Sequence, residues 1–276
     1  MSSGTPSSRP DGAHRASAFT RYRRTLWLLS KRDLKVRYST SFLGYLWSIL
    51  DPLLMAGIYF VVFTVIFQRA AGDDPYIVFL LVGLLPWTWF NGAISDSTTA
   101  YSKEARLIRS TTIPRSIWIA RIVLSKGIEF LLSIPVVVLF IIGSTVTGHP
   151  VTLSWGLALI PVAIVVQAAL AFGIGLIIAP LVVFFRDLER ATKLLLRVGF
   201  YATPIVYGLP DLAGTGLDHW AAMNPLAGII GMYRAGLFPD QLDLVSVSAS
   251  VGITAAVLII GALVYRRTLR SVLKEL

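Results

Sequence analysis

Residues 154–184 read SWGLALIPVAIVVQAALAFGIGLIIAPLVVF, and no side chain in the run ionises. A helix over it, at about 1.5 Å per residue, is longer than the roughly 30 Å hydrocarbon core of a bilayer. Such a run marks an integral membrane protein. Working outward, comparable apolar stretches lie near 43–68, 76–100, 117–142 and 246–266, with a shorter one near 192–208. The expected fold is therefore all-α and membrane-embedded, with six transmembrane helices. Composition agrees: 55% of the 276 residues are apolar and 14% are charged, against about 25% charged in soluble domains.

The formal charge is +10, but the cations sit between apolar runs, which points to an anionic membrane surface and not to nucleic acid. There are no cysteines, which removes disulfides, thiol nucleophiles and Cys-type metal sites. His14, His149 and His219 are scattered, no P-loop signature is present, and Asp187 and Glu189 lie beside Arg186 and Arg190. Neither a metal site nor a catalytic site is legible, so transport comes before enzymology. A membrane glycosyl- or phosphotransferase is disfavoured by the missing carboxylate cluster. An ion-coupled carrier would show an internal repeat and several intramembrane carboxylates.

Residues 1–18 are rich in Ser, Pro and Gly, lack the apolar core of a signal peptide, and read as a disordered cytoplasmic tail. Over 19–38 the pattern predicts an amphipathic interfacial helix. Arg21, Arg24, Lys31, Arg32 and Lys35 share about 100° of arc, opposite Phe19, Tyr22, Leu26, Leu29 and Val36. Between the fifth and sixth spans, 209–244 is too apolar for a simple loop. Its Asn224-Pro225 pair is a helix-start signal, and the short apolar run after it predicts re-entrant helices on the outer side. Residues 267–276 read as an amphipathic cytoplasmic tail, with Leu269, Val272, Leu273 and Leu276 at helical spacing. Twenty Lys and Arg fall on the side of the termini and only Arg69 and Arg234 in the opposite loops, which predicts both termini in the cytoplasm.

Two patterns carry functional expectations. Aromatic residues form stripes: Phe42, Tyr45, Tyr59, Phe60, Phe63 and Phe67 in the first span, with Trp47 off the stripe, and Tyr76, Phe79, Trp87, Phe90 and Tyr101 in the second. A kink at Pro52 would rotate the upper half of the first span. Together the stripes predict an aromatic channel wall of Phe42, Tyr45, Tyr59, Phe60, Phe63, Trp87 and Phe90, to which Phe200 and Tyr207 of the fifth span add; helix packing is the competing explanation. The second pattern is Lys103, Glu104, Arg106, Leu107, Ile108 and Arg109, a short amphipathic helix before Pro114 suited to docking a soluble partner. Among charges inside spans, Lys126 and Glu129 are three apart and can neutralise one another, and Asp51 points away from the aromatic stripe toward other helices.

The stretch DLKVRYSTSFLGYLWSILDPLLMAGIYFVVF, Asp33 to Phe63, resembles the opening of the ABC-2 type permeases that export polysaccharides, in particular the Wzm and teichoic-acid permease group. Arg37, Tyr38, Ser41, Leu43, Gly44, Leu46, Trp47 and Pro52 stand at the motif positions, and TPIVY (Thr203–Tyr207) and MNPLAGIIGMYR (Met223–Arg234) extend the likeness; Asp51 departs from it. The resemblance makes 43–266 an ABC-2 type transmembrane domain of a multi-pass protein of the bacterial cytoplasmic membrane. It implies a second copy of the chain and two nucleotide-binding ATPase subunits. ATP and Mg would be bound by those subunits, with no cofactor on this chain. It implies a lipid-linked glycan on a polyprenyl diphosphate as cargo, with Lys103–Arg109 as coupling helix. Arg21, Arg24, Lys31, Lys35 and Arg37 would border the gate near the lipid diphosphate. High Ala and Arg usage suggests an actinobacterial member and a cell-wall galactan; a drug or small-lipid exporter of the same fold is the alternative.

Overall fold

The computed structural model describes residues 11–38, 44–66, 75–111 and 113–275. Every regular element among them is helical. Ten α-helices follow in order: α1 (Asp11–Tyr38), α2 (Trp47–Phe60), α3 (Tyr76–Ser97), α4 (Ala105–Ser110), α5 (Ile117–Val146), α6 (Ile160–Phe184), α7 (Asp187–Ala202), α8 (Asp218–Ala222), α9 (Pro225–Arg234) and α10 (Leu244–Glu275). Among the described residues, four stretches are long and apolar enough to cross a membrane: Tyr76–Ser97, Ile117–Val146, Trp155–Phe184 and Leu244–Leu269. The chain is a multi-pass membrane protein.

The first and fifth expected spans look different from these four. α2 runs through Pro52 to Phe60 and then widens into a π-helical turn over Val61–Ile66, which shifts the register of its faces. The expected fifth span, 192–208, is replaced by the 16-residue α7, which starts at Asp187 and stops at Ala202. Asp187 and Glu189 in its first turn suit the positive end of the helix dipole, so the helix begins earlier than apolarity alone suggests. Thr203 is extended and the chain continues irregularly to Gly208. α1 likewise starts at Asp11, within the stretch read from sequence as a tail. A carboxylate just after Pro10 is a favourable helix start.

α3 is the centre of the molecule, buried from Val78 through Phe90 except at Thr88. Two buried polar side chains bond within the chain here: Gln167 donates to the Pro86 carbonyl (2.8 Å), and Trp89 Nε1 donates to that of Val123 (3.1 Å). Lys126 and Glu129 pair at 2.9 Å, as their spacing predicts. Asp51, expected to meet other helices, is instead exposed on this chain, because α2 turns that face away from α3.

α6 and α10 approach closely through small residues: a Cβ on Gly261 would lie 2.5 Å from the Gly173 carbonyl oxygen. α9 packs as tightly on α10, with Gly228 against the Ser246 carbonyl. The Asn224-Pro225 signal does start a helix. Asn224 accepts from Leu226 N at 3.0 Å, and every residue from Leu226 to Arg234 is buried. α10 begins where the Asp243 carboxylate accepts from Val245 N, Ser246 N and Ser246 Oγ. Burial opposes ionisation of Asp243, but these hydrogen bonds outweigh it and hold its carboxyl below the ordinary value.

Candidate functional site: an ion cluster and an aromatic cleft

The turn before α4 carries Lys103 and Glu104, so the helix starts two residues later than its expected bounds. The reason is electrostatic. Glu104 turns inward and accepts from Arg32 of α1 (2.6 Å) and from Arg121 of α5 (3.1 Å). Arg121 also reaches Asp33 at 2.7 Å, and Arg32 reaches the same carboxylate at 3.4 Å. Arg121 is 5% exposed, and its guanidinium lies 4.8 Å from the Trp118 ring centroid. Ser30 donates to the Arg121 carbonyl at 3.4 Å. Two arginines and two carboxylates thus join α1, the α4 turn and α5. Burial pushes the Asp33 carboxyl above its ordinary value even though Arg121 and Arg32 pull the other way.

α4 itself is two-sided. Ile108 is buried with Ile117, Trp118 and Val272, while Arg106, Leu107 and Arg109 are exposed. Glu104 therefore belongs to the scaffold, and the outward surface consists of Lys103, Arg106, Leu107 and Arg109. On α1, Arg21, Arg24, Lys31 and Lys35 are exposed, as the amphipathic reading expects. Arg32, placed on the same basic face by sequence, turns instead toward Glu104. Val36 and Trp27 are exposed, and the buried stripe is Ser30 and Leu34, flanked by Tyr22, Leu26 and Leu29. The Arg37 side chain lies outside the described residues.

The aromatic expectations divide. Phe42 lies outside the described residues, as do the side chains of Tyr45 and Phe63. Most of the second stripe is packing: Phe90, Tyr76 and Phe79 of α3 and Tyr101 in the turn after it are buried, and Tyr76 donates to the Val206 carbonyl at 2.8 Å. Phe60 packs half-buried against the same core. Tyr207 is half-buried and donates to the Tyr201 carbonyl at 3.1 Å. The remaining three converge. Phe200 stacks on Tyr59 and meets Trp87 edge-on, both with centroids 5.6 Å apart. They line a cleft of about 470 Å³ between α2, α3 and α7. Its other walls include Thr88, Asn91 and Ser95 of α3, and Lys193 and Arg197 of α7. The sequence reading missed this polar half, though Lys193, Arg197 and Phe200 lie at the i, i+4, i+7 positions of one α7 face.

A second buried arginine sits at the other end of α3. Arg234 of α9 is 1% exposed and donates to the carbonyls of Ile205 (2.6 Å), Pro204 (2.7 Å), Phe79 (3.2 Å) and Tyr207 (3.4 Å). Its guanidinium lies 3.4 Å from the Phe79 ring centroid. This is what holds the irregular TPIVY segment.

Multi-pass helices, an exposed two-sided helix and an aromatic cleft suit a membrane transport subunit. The chain belongs to the ABC-2 type transporter family, whose model matches residues 24–238. It is 38% identical over 209 residues to the O-antigen export system permease protein RfbA of Klebsiella pneumoniae, covering 76% of this chain and 78% of that protein. The protein of the same name from Myxococcus xanthus is 31% identical, over 80% of this chain and 83% of its own length. The polysialic acid transport protein KpsM of Escherichia coli is 26% identical, over 91% and 95% respectively. These relatives are named as transport proteins, in line with the absence of a legible catalytic site in the sequence.

Proposed function

We propose that this chain is the membrane-spanning subunit of an ATP-driven exporter of a lipid-linked polysaccharide. It acts as a pair with two separate ATPase subunits. The reading includes six crossings, with α2 and α7 as the first and fifth, re-entrant α8 and α9 on the outer side, and both termini in the cytoplasm. The names of the relatives support the cargo class; a cell-wall galactan is the specific polymer suggested by composition. ATP and Mg belong to the partner subunits, since this chain lacks a P-loop.

The observation that carries the reading is α4. Its Arg106, Leu107 and Arg109 face outward, while Glu104 at its base ties it to α1 and α5. A partner that pushes α4 moves the Glu104 carboxylate, and with it Arg32 and the basic interfacial helix. Lys103, Arg106 and Arg109 would contact the ATPase. Arg21, Arg24, Lys31, Lys35 and Arg37 would meet the lipid diphosphate, and Tyr59, Trp87 and Phe200 the sugar rings. Purification of the tagged chain from its native membrane in mild detergent tests this. A stoichiometric P-loop ATPase in a two-plus-two complex, lost when Arg106 and Arg109 are both replaced by Glu, is the expected result. A lone chain or a pair without an ATPase overturns it.

A further inference from the structure

The cleft between α2, α3 and α7 is chemically graded along its length. Phe200, Tyr59 and Trp87 cluster at one end. Lys193 and Arg197 sit on the same face of α7, and Lys193 lies seven residues before Phe200, which is about 10 Å along the helix. Among the described residues, the lining contains no carboxylate. Lys193 holds Glu189 at 2.6 Å in a pair exposed to solvent, an interaction that a competing anion exchanges at little cost. Arg197 is exposed and has no hydrogen-bond or ion-pair partner among the described residues. Asn91, half-buried on the facing wall, likewise has no side-chain partner among them.

From this arrangement we propose that the cleft is a binding subsite for a saccharide bearing an anionic group, with Arg197 and Lys193 taking the anion and Trp87, Tyr59 and Phe200 the ring. The proposal rests on the polysaccharide reading above and deepens it by requiring an anion on the cargo, in its repeating units or in its lipid linkage. An aromatic face covers the C–H side of a pyranose, and the Asn91 amide can both donate to and accept from ring hydroxyls. A guanidinium binds carboxylate or phosphate through two parallel hydrogen bonds, and a cleft lined by one sign of charge concentrates the opposite sign. An acyl chain would gain nothing from this polar wall, and a neutral glycan with no linking phosphate would leave both cations unused. The anion has two sources: acid groups on the repeating units, or the phosphate linking the reducing end to a lipid. A relative named as a polysialic acid transporter handles a polymer of the first kind.

The test is direct binding to the full chain in lipid nanodiscs at low and high salt. Three probes are used: a sialic acid oligomer, a neutral galactan oligomer of equal length, and a polyprenyl diphosphate-linked saccharide. At least one anionic probe should bind about tenfold more tightly than the neutral one, an advantage that shrinks with salt. Combined Arg197→Gln and Lys193→Gln should abolish that advantage and leave neutral binding intact. Arg266→Gln, an exposed cation on α10, should change nothing. Phe200→Leu should weaken all three probes. Loss confined to the sialic acid oligomer assigns the anion to the polymer, and loss confined to the lipid-linked probe assigns it to the carrier.

If neutral and anionic probes bind alike, or the double variant keeps the anionic advantage, the anion subsite is overturned while the polysaccharide reading stands. If wild-type chain binds no saccharide of any kind, both fall. Arg197 and Lys193 are exposed, so an unchanged melting temperature of the double variant separates loss of binding from loss of fold.

Discussion

Arg121 and Arg234 are both buried, yet they are satisfied in opposite ways. Arg234 donates to main-chain carbonyls of the 204–207 segment and of α3, while Arg121 pairs with the carboxylates of Asp33 and Glu104 on two other elements. Carbonyls of a fixed backbone offer one geometry, so Arg234 acts as a static rivet for an irregular segment. Carboxylates on separate elements can exchange partners, and Arg32 already shares both with Arg121. A joint made of exchangeable ion pairs is suited to an interface that moves. The difference separates a fixed anchor at Arg234 from a joint at Arg121 whose partners can exchange.

The sharpest way to break the comparison is Arg234→Leu. It leaves several buried carbonyls without a donor at about 1–3 kcal/mol each, so thermal unfolding in detergent should show severe destabilisation or no folded chain. An Arg234→Leu protein with wild-type melting would remove the rivet from this account. Arg121→Gln comes next. It leaves Asp33 and Glu104 facing one another with Arg32 alone, at a cost of about 3–5 kcal/mol. Arg121→Lys, which keeps a cation between the two carboxylates, should recover part of that loss, whereas Arg234→Lys, without the guanidinium fork, should recover less at the carbonyl site. Failure of Arg121→Lys to recover any stability would show that the ion cluster demands the guanidinium geometry as strictly as its counterpart does.

Gly228→Leu probes the scaffold around α9 without touching a charge. Its side chain collides with the Ser246 carbonyl, and overpacking of this kind costs about 1–3 kcal/mol. The smallest effect is expected at Asp33→Asn, within about 1 kcal/mol at neutral pH, because burial already offsets what the arginines return. The sign of its pH dependence follows from the raised carboxyl. The folded chain holds that proton more tightly than the unfolded one, so the group favours folding at low pH. That contribution is lost as pH rises through the ordinary carboxylate value to the raised one. Asp33→Asn should flatten this part of the stability profile, and an unchanged profile would show that Asp33 titrates normally.

Much of the site was written in local sequence. Arg106, Leu107 and Arg109 lie on the exposed side of α4, and Ile108 on its buried side, because helical spacing alone sorts them. The Asn224-Pro225 start of α9 and the Lys126–Glu129 pair follow from interactions within four residues of chain. The aromatic stripes were visible but ambiguous. Spacing shows that Phe90 and Trp87 share a face of α3, and it does not show that Trp87 lines the cleft while the equally buried Phe90 beside it packs in the core. Arg32 was assigned to a solvent-facing arc for the same reason: nothing near it in sequence reveals Glu104, 72 residues away.

The sequence by itself determined that this chain is helical, apolar enough to cross a membrane several times, basic at its ends, and related to the ABC-2 type transporters. Periodicity and transfer free energy act residue by residue along the chain, so they can be read without coordinates. Only the tertiary structure decided which charges meet and which aromatic rings surround a space. Those outcomes depend on helices separated by 72 to 155 residues coming together, as Arg32 does with Glu104 and Arg234 with Phe79. A buried charge announces in sequence that it needs a partner; packing alone selects the partner.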